Sequence, residues 1–260
     1  MFNRRAFTAT AAGAVALACS RRKAAALADA VEAPNLKDLV PARLPKLQAF
    51  RPASGNYKII HCVRHAQGVH NVAGELEGEA GYLRPENRDA MLTPRGHEQC
   101  RDLSERAKAV TANAQLLVVS PMHRTAQTAL HSFPFLVGAI KWIANEDLRE
   151  QSGLHPCDHR SDISALAGTY SFIDFSQIEH DVDPLYFQNG KDRETDENVQ
   201  RRIREFLRWL AERPEREVIV VTHSAYLRNF LLLLGEERSG VQYENCEMRS
   251  YVVDFPPTRS

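Results

Sequence analysis

The chain of 260 residues contains no apolar run of the roughly 20 residues that a membrane-spanning helix needs. Cysteine is scarce and scattered. Cys19, Cys62, Cys100, Cys157 and Cys246 form no CxxC spacing and no paired framework, so neither a structural zinc site nor a disulfide scaffold is indicated, and Cys62 and Cys246 read as small core residues. There is no charge of one sign in excess either: 33 Lys plus Arg face 33 Asp plus Glu. That balance removes any whole-protein argument for nucleic acid or an anionic membrane, while a local anion site stays compatible with it. With 43% apolar and 25% charged residues, the composition is that of an ordinary globular protein.

The first thirty residues differ from the rest. Arg4, Arg5, Arg21, Arg22 and Lys23 flank an Ala-rich run, and no carboxylate precedes Asp29. Arg4-Arg5 followed by Phe7 resembles a twin-arginine export signal, which implies an exported or organelle-targeted protein; a disordered tail on a cytoplasmic protein is the alternative. Residues 31 to 56 carry four prolines and no sustained period, and predict an irregular arm. Residues 57 to 260 then suffice for one α/β domain.

Within that domain apolar runs alternate with helical patterns. YKIIHCV, QLLVVS, KWIANED, EVIVVTHS and SYVVDF predict strands. TPRGHEQCRDLSERAKAV predicts a helix, and PMHRTAQTALHSF another, with Ser120 as N-cap and Pro121 at its first position. DENVQRRIREFLRWLAERP places Val199, Ile203, Phe206 or Leu207 and Leu210 on one face. AYLRNFLLLLG closes at Gly235. AGELEGEAGYLRPENRDAM reads as a polar insertion, and residues 151 to 195 as a long loop region with short helices, a cap. This alternation predicts an α/β fold, a three-layer α/β/α sandwich around a mostly parallel central sheet.

Three strand ends carry the same cargo: Arg64-His65, Ser120 with Arg124 one turn beyond, and Thr222-His223-Ser224. In an open α/β sheet ligands bind beyond the carboxyl ends of the strands, so these residues converge although distant in sequence. Two arginines and two histidines in one pocket suit a dianion, because guanidinium groups fork onto phosphate oxygens. His65 is the candidate nucleophile, an imidazole nitrogen being competent to attack when its other nitrogen is held by an acceptor. A carboxylic acid must supply the leaving-group proton; Glu150 is best placed and Asp158 second.

VRHAQGVHN, LTPRG, SPMHRTAQTA, LRE and VTHS stand in the order and at about the spacing of the histidine phosphatase superfamily, the phosphoglycerate-mutase-like group, which residues 57 to 255 resemble. The resemblance implies a phosphoglycerate-mutase-like fold and a transient phosphohistidine at His65. It implies that Arg64, Arg124 and His223 clamp the phosphoryl oxygens, with Asn71 on the same phosphate, and that Glu150 is the general acid. In the acid-phosphatase and phytase branch a His-Asp pair follows the last active strand; here His223 is followed by Ser224, which adds weight to Glu150. Ala66 stands where the family motif usually has glycine; were φ above zero required, alanine would cost on the order of 1 kcal/mol. The tryptophan-bearing segment of cofactor-dependent phosphoglycerate mutases is also absent, which favours hydrolysis over mutase chemistry.

The expected activity is therefore a metal-independent phosphomonoester hydrolase acting on a small-molecule phosphate ester, with no cofactor. Mutase-type transfer is the alternative, and a catalytically inactive phosphate-binding protein comes third. His61, His70, His97, His131 and His180 read as structural, His155 and Arg160 as possible substrate contacts from the cap. A metal at His61, His65 and His70 is disfavoured, since no carboxylate or cysteine completes a familiar ligand spacing. Neither the substrate's identity nor the oligomeric state is legible.

Overall fold

The computed structural model describes residues 57–189, 192–235 and 242–255. The leader and the arm expected over residues 1 to 56 lie outside them.

Five strands form one sheet, ordered β3-β2-β4-β1-β5. They are β1 (Tyr57–Arg64), β2 (Leu116–Val119), β3 (Lys141–Ala144), β4 (Glu217–Thr222) and β5 (Met248–Asp254). All neighbours run parallel except β5, which closes the edge antiparallel to β1. The register pairs Arg64 with Thr222 and Val119 with both Val221 and Ala144, so four parallel strands end on one level.

Side-chain alternation divides the core into two apolar layers. Leu116, Val118, Val218, Val220, Ile60 and Cys62 pack with Val199, Ile203, Phe206, Leu207 and Leu210 of α7 (Asp196–Ala211) and with Leu227 and Phe230 of α8 (Ser224–Leu233). Leu117, Val119, Ile219, Val221 and Val63 pack on the other face against Cys100, Leu103 and Ala107 of α3 (Pro94–Val110) and Ala126 and Ala129 of α4 (His123–Ser132). The fold is thus a three-layer α/β/α sandwich. Strands covered on both faces are apolar throughout, which is why LLVV and EVIVVT were readable as strands.

Two local readings change. The polar insertion is largely helical: the end of α1 (Val69–Glu77), α2 (Glu79–Tyr82) and a 3₁₀ turn (Pro85–Asn87) together occupy most of it. Its periodicity is blurred because Leu76 and Leu83 are exposed while Gly81, Asn87 and Asp89 are buried. Ser120 does not cap α4, which begins at His123 after Met122; His123 N–H donates instead to Asp89 Oδ1 at 2.9 Å. The Ser120 hydroxyl is engaged with His223.

The cap contains α5 (Ile163–Thr169) and α6 (Pro184–Asn189) and is pinned by buried arginines. Arg149 donates to Asp183 and Glu146, both at 2.7 Å, and Arg160 donates to Glu146, to the carbonyls of His180 and Asp181, and through its N–H to Asp183. Arg160 therefore holds the cap together and does not line the cavity described next, a correction to the substrate contact entertained for it. Among the described residues no helix is long and apolar enough to cross a membrane.

Candidate active site

A cavity of about 470 Å³ opens at the carboxyl edge of the sheet, lined among others by Arg64, His65, His70, Asn71, Arg124, Glu150, His155 and Asp158. The side chains at positions 64, 65, 71, 124 and 150 are brought together as expected. His223 is brought close but not to the surface: its ring lies 5.3 Å from that of His65, centroid to centroid, and it is fully buried.

His65 follows the last residue of β1, and its N–H continues the ladder to the Thr222 carbonyl at 2.9 Å. Its Nδ1 lies 2.8 Å from the Ala66 carbonyl. A carbonyl only accepts, so Nδ1 carries the proton and the lone pair sits on Nε2, on the cavity side. Burial, then the guanidinium of Arg124, His70 and Arg64, hold this imidazole well below its usual range, and it is neutral at pH 7. Ala66 is not among the described residues with positive φ, so alanine is unstrained where the motif has glycine; its N–H donates to Thr128 Oγ1 at 2.9 Å.

Arg124, in the first turn of α4, donates from Nε to His223 Nδ1 at 3.3 Å and from Nη1 to the Cys157 carbonyl at 2.6 Å. His223 Nδ1 therefore accepts, and Nε2 donates to Ser120 Oγ at 2.8 Å. Both ring nitrogens are occupied by protein groups. This departs from the expectation that His223 clamps a phosphoryl oxygen directly; as placed, it backs His65 and orients Arg124. Arg64 donates from Nη1 to the Tyr243 carbonyl at 2.7 Å, while its buried Nε has no partner.

Asn71 lies in the first turn of α1. Its Oδ1 accepts from Gly68 N–H at 2.9 Å and from Asn245 Nδ2 at 3.4 Å, which commits the oxygen and leaves the amide donors to the cavity. Glu150 leaves the 3₁₀ turn Glu146–Leu148 and its carboxylate accepts from the N–H of Ala225 at 3.2 Å, of Tyr226 at 3.1 Å and of Gln151 at 2.9 Å. The first turn of α8 thus fixes it. Arg202, donating to the carbonyls of Asp147, Arg149 and Glu150, fixes the backbone behind.

Asp158 sits opposite, with Oδ1 3.6 Å from Arg124 Nη2 and Oδ2 without a hydrogen-bond partner. Burial pushes its carboxyl up to about 6, against the pull of Arg124. Cys157 beside it is no rival nucleophile, because burial pushes its thiol far up.

His70, which reads as structural from the sequence, is placed at the cavity. Its ring lies 5.4 Å from that of His65, its buried Nδ1 is unpartnered, and it lines the cavity. Burial, Arg124 and Arg64 keep it neutral too. A signal existed: five residues after His65 lies the first turn of a helix that starts beside it. His61, by contrast, is structural, its ring meeting Ser250 Oγ at 2.7 Å and Glu217. His155 does line the cavity, held between Glu79 and Arg193.

Of metal donors, His155, Cys157 and Asp158 come within 4.8 Å of one another. Arg124 and Arg193, 3.6 and 3.7 Å from Asp158, oppose a divalent cation there.

Fold and site together define an α/β protein with an imidazole-centred, guanidinium-lined cavity at the carboxyl edge of its sheet. The family model of the histidine phosphatase superfamily (branch 1) matches residues 60–253, and the chain belongs to that family. A phosphoglycerate mutase-like protein of Arabidopsis thaliana is 36% identical over 231 residues, covering 75% of this chain and 84% of the relative. Phosphoglycerate mutase-like protein 2 of the same plant is 33% identical over 268 residues, covering 78% and 77%. The ecdysone phosphate phosphatase of Bombix mori, solved in complex with tungstate, superposes with a TM-score of 0.50 at 15% identity, covering 78% of this chain and 95% of that one; this is a likeness of fold.

Proposed function

We propose that the protein is a metal-independent phosphomonoester hydrolase that works through a phosphohistidine at His65. The observation that carries this reading is the tie from His65 Nδ1 to the Ala66 carbonyl in a ring held neutral by burial and guanidinium charge. That combination leaves a lone pair on Nε2 beside two cations able to receive a phosphoryl dianion.

In the first step Nε2 attacks phosphorus in line, the N–P bond forms and the P–O bond to the leaving group breaks. Arg64, Arg124 and the Asn71 amide take up the charge on the phosphoryl oxygens, and Glu150 gives a proton to the leaving oxygen. Water then attacks phosphorus, its proton returns to Glu150, and the N–P bond breaks to release phosphate. A cavity of this size accepts a small phosphorylated molecule.

The names of the two plant relatives favour a second reading, return of the phosphoryl group to another hydroxyl of the same substrate. The test is release of phosphate from an aryl phosphate and from 3-phosphoglycerate, with isomer formation followed in the latter. His65→Ala should lower the rate by about 10³-fold or more, and a chelator should leave the wild-type rate unchanged. Equal release by wild type and variant would refute the nucleophile; isomer without phosphate would make the enzyme a mutase; activity lost to chelator and restored by zinc or magnesium would refute metal independence.

A further inference from the structure

Away from the cavity, two cysteines 146 positions apart meet in the core layer beneath His65. Cys100 lies on α3 and Cys246 in the turn that leads into β5; both are buried and both are free thiols. The Cys246 thiol donates to Cys100 Sγ at 4.0 Å, and Ser132 Oγ lies 3.8 Å from Cys246 Sγ. Cys246 occupies the left-handed region, φ +61°, where a residue with a Cβ needs support from its surroundings. Its N–H donates to the His65 carbonyl at 3.2 Å, and the neighbouring Asn245 side chain donates to the same carbonyl at 3.1 Å and reaches Asn71.

We propose that Cys100 and Cys246 are a disulfide site, closed by a peroxide-class oxidant, that ties α3 to the turn supporting His65. Bringing the sulfurs from 4.0 Å to bonding distance requires a closure of about 2 Å. Polarity of reaction is set by the pair: the hydrogen bond from Cys246 pulls the Cys100 thiol below its usual range, with burial opposing, and donating raises that of Cys246.

The Cys100 thiolate attacks a peroxide oxygen. The S–O bond forms, the O–O bond breaks, and the leaving hydroxide takes a proton to become water. Cys246 sulfur then attacks the sulfenic sulfur: the S–S bond forms, the S–O bond breaks, and a second water leaves with the Cys246 proton. Two thiols lose two electrons and hydrogen peroxide gains them. Oxidant enters through local opening of the turn.

The experiment treats the full chain with dilute hydrogen peroxide, blocks remaining thiols with iodoacetamide, and maps peptides by mass. A cross-linked peptide joining Cys100 to Cys246, lighter by about 2 Da than its two thiol halves and split by dithiothreitol, is expected. Because the bond closes a loop of well over 100 residues, Tm should rise on the order of 10 °C and fall back on reduction. Cys100→Ala and Cys246→Ala should each abolish the peptide and the rise, whatever their own reduced-state Tm. Alkylated Cys100 and Cys246 after oxidation, sulfinate or sulfonate without a cross-link, or a Tm rise retained in either variant would overturn the proposal. The readout is sulfur chemistry and stands whether or not His65 is a nucleophile.

Discussion

Asp158→Asn should make the protein less sensitive to alkaline pH. Asp158 is buried, its Oδ2 has no partner, and its carboxyl rises from an ordinary 3.8 to about 6, by burial first, with Arg124 opposing and Glu150 assisting. The folded state therefore binds a proton more tightly than the unfolded chain. Its contribution to stability is full below about pH 4 and is lost as pH rises through about 6. A rise of this size corresponds to about 3 kcal/mol, with the attraction to Arg124 already contained in it. Asp147 is pushed up to about 6 as well, so the wild-type profile mixes two groups. The difference between variant and wild type isolates one. Melting both proteins from pH 4 to pH 8 should give a Tm advantage of the variant that grows by roughly 6 to 12 °C towards pH 8. A difference that stays flat, or that grows towards acid, would refute the assignment of a buried, proton-holding carboxyl beside Arg124.

Glu150→Gln should slow esters with poor leaving groups by about 10² to 10⁴-fold and those with acidic leaving groups far less, because only the former need a proton; rates across aryl and alkyl phosphates decide, and an equal loss would transfer the role to Asp158. His70→Ala should lower kcat/KM by about 10-fold, the worth of one hydrogen bond to the bound ester; an unchanged value would return His70 to a structural role. Gly96→Ala should cost about 1 to 3 kcal/mol in urea unfolding, since its Cβ would meet the Gln67 carbonyl at 2.3 Å, and that backbone adjoins Ala66 and His65.

The sheet was legible because four of its strands are buried on both faces or nearly so, and such strands show as apolar runs. The rim followed from them: once β1, β2 and β4 are placed, Arg64-His65, Ser120 and His223 must lie at one edge. What escaped were relations without period. His70 reads as one more structural histidine, and only the fold shows that α1 starts against His65. Arg160 reads as a substrate contact, and nothing in the local pattern marks Arg149 or Arg202, yet each of the three is buried against carboxylates or carbonyls. Such pairings depend on how the cap folds back, which no local pattern encodes. Ser120 misled for a related reason, because a hydroxyl next to a helix start is a good cap until a histidine from another strand takes it.

One electrostatic feature unites these pieces. At the His65 end of the cavity two guanidinium groups meet three imidazoles, and burial with guanidinium charge holds all three rings neutral. The nearby carboxylates are already engaged, Glu150 by the first turn of α8 and Asp158 by Arg124. Arg64 Nε is left buried without an acceptor, a cost that an anion bound there would remove. Protonated imidazoles could also bind phosphate, but an imidazolium has no lone pair with which to attack it. In the proposed reaction the same two arginines therefore act twice, keeping His65 unprotonated while the cavity is empty and receiving the phosphoryl oxygens when it fills. The incoming dianion then offsets the guanidinium charge, and the imidazoles around it become easier to protonate. A site that only bound phosphate would gain from charged histidines from the outset, whereas the proposed transfer requires that His65 stay neutral until the ligand arrives.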